Sequence, residues 1–142
     1  FGRWSLLCAL PPRHPLAARA GLDMQAVWNE RLILYSAEAP QSQAIEEWAA
    51  RAGAAPRRGV EVRSGYAACS MVAQGIGIAF VDDLTARAFR PGALQLRAVA
   101  RAPQYPLLSV SNVNKPLSAI GNAFLQLVRT ELKLLQKESI AV

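Results

Sequence analysis

Apolar residues recur along this chain in short runs parted by turn formers, and the period of the runs changes from one to the next. Trp4–Leu10 is an apolar strand candidate, ended by Pro11-Pro12. Asp23 is placed to cap a short helix over Met24–Trp28, and Leu32–Tyr35 reads as a second strand. Ser42–Ala52 has helical period, with Ile45, Trp48 and Ala49 on one face and Gly53 as a stop. Val60–Arg63 reads as a third strand. Ser64 then caps a helix running to Gln74, and Gly75 closes it. Ile76–Val81 fits a buried strand, with Gly77 for close approach to a neighbour. Asp82 or Asp83 caps a short helix to Phe89, broken by Pro91-Gly92. Leu94–Val99 alternates like an edge strand, and Leu107–Val113 reads as a further strand.

The last segment carries the cleanest period. From Pro116 onward, Leu117, Ile120, Phe124, Val128, Leu132 and Leu135 recur at steps of three and four, with Asn122, Arg129, Glu131 and Lys133 off the stripe. Such a helix packs on a sheet or serves as an oligomerisation helix. Strand and helix alternate through the middle of the chain, which argues an α/β sheet with right-handed crossovers.

Composition changes this picture little. Of the 142 residues, 52% are hydrophobic and 18% charged, enough apolar material for a core. The longest apolar run, Ile76–Val81, is strand-sized and far below the roughly 18 residues of a membrane span. The net charge of +6 comes from 13 arginines and three lysines against 10 acidic residues. The arginines are scattered, as on a solvated surface, and no segment forms the dense basic stripe of a nucleic-acid interface. Cys8 and Cys69 lie far apart in apolar company and read as small buried hydrophobes, which fits a reducing cytoplasm.

The candidate chemistry points to sensing rather than catalysis. The stretch Ser64–Asp82 places a helix N-terminus beside a strand end, an arrangement that holds small polar ligands, often anions. The first N–H groups of that helix would attract a carboxylate. Gly65 allows close approach, and Tyr66 or Tyr35 could pack on a carbon frame. Each has a plainer role open to it: Ser64 as a helix cap, Tyr35 as a core residue, Asp82 and Asp83 as caps of the next helix. His14 is the only histidine and lies in a Pro-flanked turn, so no Ser-His-Asp set assembles around it. Glu46-Glu47 is a solvated helix face, and Gly75-x-Gly77 follows a helix instead of preceding one, unlike a dinucleotide fingerprint. No enzyme activity, cofactor or metal is expected.

Three segments together carry a resemblance: RHPLA at Arg13–Ala17 after an apolar strand, MVAQGIGIAFVDDLTAR at Met71–Arg87, and LLSVSNVNKPLSAIGNAFLQLV at Leu107–Val128. In this order and spacing the chain resembles the effector-binding domain of LysR-type transcriptional regulators. The resemblance implies a type-2 periplasmic-binding-protein-like α/β fold of two subdomains joined by crossover strands. On that pattern residues 1–11 form a crossover strand from the first subdomain and 12–106 the second subdomain. Residues 107–142 form the returning strand and a C-terminal helix belonging to the first. The family's helix-turn-helix, linker helix and first half-subdomain have no counterpart here, so the chain is expected to be a fragment truncated at its N-terminus. Apolar surface on the final helix and crossover strands would then be exposed and covered by a partner chain, as in a homo-oligomer, or by rearrangement.

The resemblance also implies a small-molecule effector in the cleft between subdomains, with DNA contacted only through the absent N-terminal domain, in the cytoplasm and without a membrane. The ligand wall would comprise Tyr35 and Ser36 at a strand end, the turn Ser64, Gly65 and Tyr66, and Ser109 or Ser111 on the returning strand. The wording around Cys69–Ala73 and Val81–Ala86 is similar to regulators of amino-acid and opine metabolism, which implies an amino-acid-like effector. A lobe of a periplasmic solute-binding protein, of similar fold, is the alternative.

Overall fold

In the computed structural model, which describes residues 1–55 and 58–137, β1 (Arg3–Leu10) is buried on both faces from Leu6 to Leu10. Consecutive buried residues in a strand mean that both faces of the sheet are covered there. Helices and strands then alternate: α1 (Met24–Trp28), β2 (Leu32–Tyr35), α2 (Pro40–Arg51), β3 (Arg58–Val62), α3 (Gly65–Ala73), β4 (Ile78–Asp82) and α4 (Asp83–Arg87). β5 (Gln95–Ala98), β6 (Gln104–Pro106) and α5 (Ala119–Lys137) complete the chain. Backbone contacts divide the described residues into two compact units, 5–103 and 1–4 with 104–137.

In the first unit the strand order is β3-β2-β4-β1-β5. β2 runs parallel to β3 and β4, as two helical crossovers require, while β1 is antiparallel to β4 and β5. β5 is the edge strand that its alternation predicts. The core centres on Phe80. Its ring lies 5.0 Å from that of Trp48 on α2 and 5.6 Å from that of Trp28 on α1, so these helices share one face of the sheet. Each such aromatic contact adds about 1 kcal/mol beyond area burial.

The helix ends follow local chemistry. Asp23 accepts from the Ala26 N–H at 2.8 Å, Ser64 from Ala67 at 3.2 Å, and Asp82 from Thr85 at 2.8 Å. Gly75 closes α3 at φ +73°, a left-handed conformation that suits glycine. A side chain at Gly77 would strike the backbone carbonyl of Arg31, which accepts the Ile78 N–H at 3.0 Å. This is the close approach expected of that glycine.

The second unit departs from expectation in two places. The strand expected over Leu107–Val113 does not form: the strand here is β6, Gln104–Pro106, and Leu107–Val113 has no ladder partner among the described residues. The Phe1 N-terminus donates to the Leu107 carbonyl at 2.8 Å and the Leu107 N–H donates to Gly2 at 2.9 Å. Beyond Leu107 the segment to Val113 makes no ladder hydrogen bond among the described residues, and alternation alone cannot hold a strand without a partner for its N–H and C=O groups. The final helix starts at Ala119 rather than Pro116, because the Ser118 hydroxyl caps it by accepting the Gly121 N–H at 3.1 Å. Its apolar stripe is largely uncovered: Ile120 is 83% exposed and Phe124 62%, while Leu132 is buried. Arg129 over the Phe1 ring at 5.6 Å and Gln136 donating to the Arg3 carbonyl at 3.2 Å tie the helix to its own unit.

Candidate functional site

β2 and β3 end side by side, with Tyr35 opposite Val62. The Ser36 N–H donates to the Val62 carbonyl at 2.9 Å, which fixes the first residue after β2 against the end of β3. Each strand then turns into a helix. α2 begins after Ala39, which supplies no side-chain cap, and α3 begins after Ser64. The carboxyl ends of two adjacent parallel strands thus carry two helix N-termini, the place where open α/β sheets bind ligands.

A hollow of about 330 Å³ opens at this point, lined by Ser36, Glu38, Ala39, Gln41 and Arg63. The Ser36 hydroxyl makes no hydrogen bond among the described residues. Ser64 uses an oxygen lone pair as the cap of α3 and keeps its O–H as a donor. The N–H groups of Gly65 and Tyr66 also have no partner among the described residues. Tyr66 is 60% exposed, and its ring lies 4.8 Å from that of Phe89.

The structure therefore brings Ser36, Ser64, Gly65 and Tyr66 to one end of the sheet. Tyr35 has its side chain in the core, 2% exposed, with its hydroxyl donating to the Phe80 carbonyl at 3.0 Å. Its ring is not available to pack on a ligand; it supports the wall from behind. Gly65 sits against it, since a Cβ there would lie 3.3 Å from the Tyr35 hydroxyl oxygen and 3.1 Å from Thr85 Cγ2. Both Asp82 oxygens are engaged by Thr85, so Asp82 is a cap, and buried Asp83 is held by Arg87 at 3.0 Å. Ser109 lies in the other unit, exposed on the irregular segment after β6. Residues of the hollow that sequence reasoning missed are Glu38 and Gln41, which follow Ser36 in the turn into α2, and Arg63, which the pairing of β2 with β3 brings beside them.

The buried groups near the site are electrostatically quiet. Burial, reinforced by Asp82, pushes the Cys69 thiol up to about 11. Burial pushes Cys8 up to about 12, with Glu30 adding to it. Burial, then Asp82 and Cys69, raises the Tyr35 hydroxyl above its usual range. All three stay protonated at neutral pH, and none is a nucleophile there. Among the described residues no cluster of three His, Cys, Asp or Glu side chains is placed to hold a metal ion. None of their helices is long and apolar enough to cross a membrane.

The model of the LysR substrate binding domain family matches residues 1–133. The chain belongs to that family. That family is one of transcriptional regulators, not of enzymes. Over 118 residues the chain is 30% identical to the transcriptional activator protein LysR of Escherichia coli K12, covering 83% of this chain and 38% of that protein.

Solved structures agree on the fold. The regulatory domain of CcmR from Synechocystis PCC6803, in complex with 2-PG, matches with a TM-score of 0.69 and 22% identity over 89% of this chain and 62% of that one. The effector-binding domain of QuiR, in complex with shikimate, matches with a TM-score of 0.64 and 17% identity over 87% and 59%. The architecture is the mixed α/β, type-2 periplasmic-binding-protein-like fold of LysR effector domains. The chain spans 38% of its LysR relative and about three fifths of these two domains.

Proposed function

We propose that this LysR-family domain senses a small polar, amino-acid-like ligand at the hollow beside Ser36, and that binding controls a DNA-binding helix-turn-helix outside this chain. The observation that carries the reading is the pair of helix N-termini on adjacent parallel strand ends, with the Gly65 and Tyr66 N–H groups unpartnered. Donors so arranged favour a carboxylate or another anion without further rearrangement. Ser36, Ser64, Gly65 and Tyr66 contribute directly, and Tyr35 positions the wall. That the CcmR and QuiR domains were solved with 2-PG and shikimate supports a small ligand for this fold.

In this reading residues 12–106 are the second effector-binding subdomain, flanked by the crossover strand 1–11 and the returning segment 107–142, and the hollow is one wall of the effector cleft. The protein works in the cytoplasm as a homo-oligomer; the uncovered apolar side of α5 supports association. Calorimetric titration of the protein carrying this chain with L-amino acids, shikimate and other small carboxylates tests the reading. Binding weakened by Ser36→Ala and Ser64→Gly is expected, and binding indifferent to both would refute it.

A further inference from the structure

The hollow beside Ser36 holds one acidic and one basic side chain, Glu38 and Arg63. They come from different elements. Glu38 lies in the turn between β2 and α2, where Ala39 donates back to the Ser36 carbonyl at 2.9 Å. Arg63 follows β3 directly and precedes the capping Ser64. Neither makes a hydrogen bond or an ion pair among the described residues, and they do not pair with each other within 4.0 Å. Elsewhere in the described chain opposite charges at close range do engage, as Arg87 does with Asp83 and Arg51 with Glu47. Two opposite charges left unpaired on the lining of one hollow offer a cation site and an anion site to the same ligand.

Resting on the effector reading above, we propose that Arg63 and Glu38 are the specificity-determining pair of this site, and that they select a zwitterionic α-amino acid. Arg63 takes the carboxylate. A guanidinium suits that planar group, and the free N–H groups of Gly65 and Tyr66 begin immediately after it in the chain. Glu38 takes the ammonium, which the uncapped N-terminus of α2 would otherwise repel. The hollow of about 330 Å³ is at the small end of ligand sites, the size for a compact metabolite. A carboxylic acid without an amine leaves Glu38 facing it with no counter-charge, so the pair excludes such acids as well as admitting amino acids.

The test is calorimetric titration of the protein carrying this chain with the twenty proteinogenic L-amino acids, with the 2-hydroxy acid matching the tightest of them, and with shikimate. The amino acid should bind at least about tenfold more tightly than its hydroxy analogue, the scale of one charge-assisted hydrogen bond. Glu38→Gln should abolish that preference by weakening only the amino acid, while Arg63→Gln should weaken both ligands about tenfold. Both side chains are exposed, so thermal melting of the variants should match the parent. Equal binding of the amino and hydroxy acids, or a Glu38→Gln effect common to both, overturns the pair as zwitterion selector and leaves the effector reading standing. Shikimate binding without any amino acid binding overturns the pair and the amino-acid-like part of the effector reading, and leaves a small polar effector at this hollow. If none of the panel binds at this hollow, both proposals fall.

Discussion

The Tyr35 hydroxyl donates to the Phe80 carbonyl at 3.0 Å, bridging two parallel strands directly beneath Gly65. The wall of the candidate site therefore rests on a buried hydrogen bond whose donor oxygen also limits what can stand at position 65. A Cβ on Gly65 would come within 3.3 Å of that oxygen and 3.1 Å of Thr85 Cγ2, tighter than ordinary van der Waals contact. Gly65→Ala should destabilise by about 1–2 kcal/mol. Tyr35→Phe leaves the Phe80 carbonyl without its donor and should cost about 1–2 kcal/mol. Since the two share one contact, the double variant should lose less than the sum, read by urea unfolding as a coupling of about 0.5 kcal/mol or more. Strict additivity would contradict the contact.

Trp48 and Phe80 pack at 5.0 Å in the centre of the core, both nearly fully buried. Trp48→Ala should cost about 3–5 kcal/mol by chemical denaturation. Asp82→Ala should cost about 1 kcal/mol through loss of the α4 cap. A smaller effect at Trp48 than at Asp82 would place the core elsewhere.

The two thiols give a pH signature. Cys8 ionises near 12 and Cys69 near 11 in the fold, against 9.0 for the free group. Their folded values are raised, so the contribution is fully present below about pH 9. It is lost as pH rises toward 11 to 12, because the unfolded chain ionises first. Stability should therefore fall with rising pH above 9, by up to about 1.4 kcal/mol per pH unit per thiol. Cys8→Ala should flatten part of that slope. At pH 8 a thiol reagent should label neither cysteine until the chain unfolds, and rapid labelling of the native protein would contradict their burial.

The uncovered side of α5 predicts self-association. Ile120, Phe124 and Leu127 are 83%, 62% and 66% exposed on one helix. Sedimentation should show concentration-dependent association of the 142-residue chain, reduced in Phe124→Ser. A parent chain that stays monomeric across the range would contradict it.

Much of the fold is legible where the deciding chemistry is local. Asp23, Ser64 and Asp82 cap the helices that follow them, and Gly53 and Gly75 end two others, because each cap is settled within a few residues. Where strand pairing ends was not legible. Alternation at Leu107–Val113 says which residues share a face, but a strand also needs a neighbour, and pairing ends at Leu107. The stripe on α5 gave its period and not its cover. At the site, Ser36 and Ser64 were readable from their strand-to-helix turns. Arg63 was one of 13 arginines until the Tyr35–Val62 register set it beside Ser36, and Glu38 had no signal of its own.

The central claim is that a small polar ligand binds at the ends of β2 and β3, and amide chemical-shift mapping tests it most directly. Titration of the labelled chain with L-amino acids should shift Ser36, Gln41, Arg63, Gly65 and Tyr66, whose amides lie at that end of the sheet. Shifts confined instead to the separate hollow lined by Met24, Trp48, Arg51 and Arg101, with Ser36 and Gly65 unmoved, would contradict it.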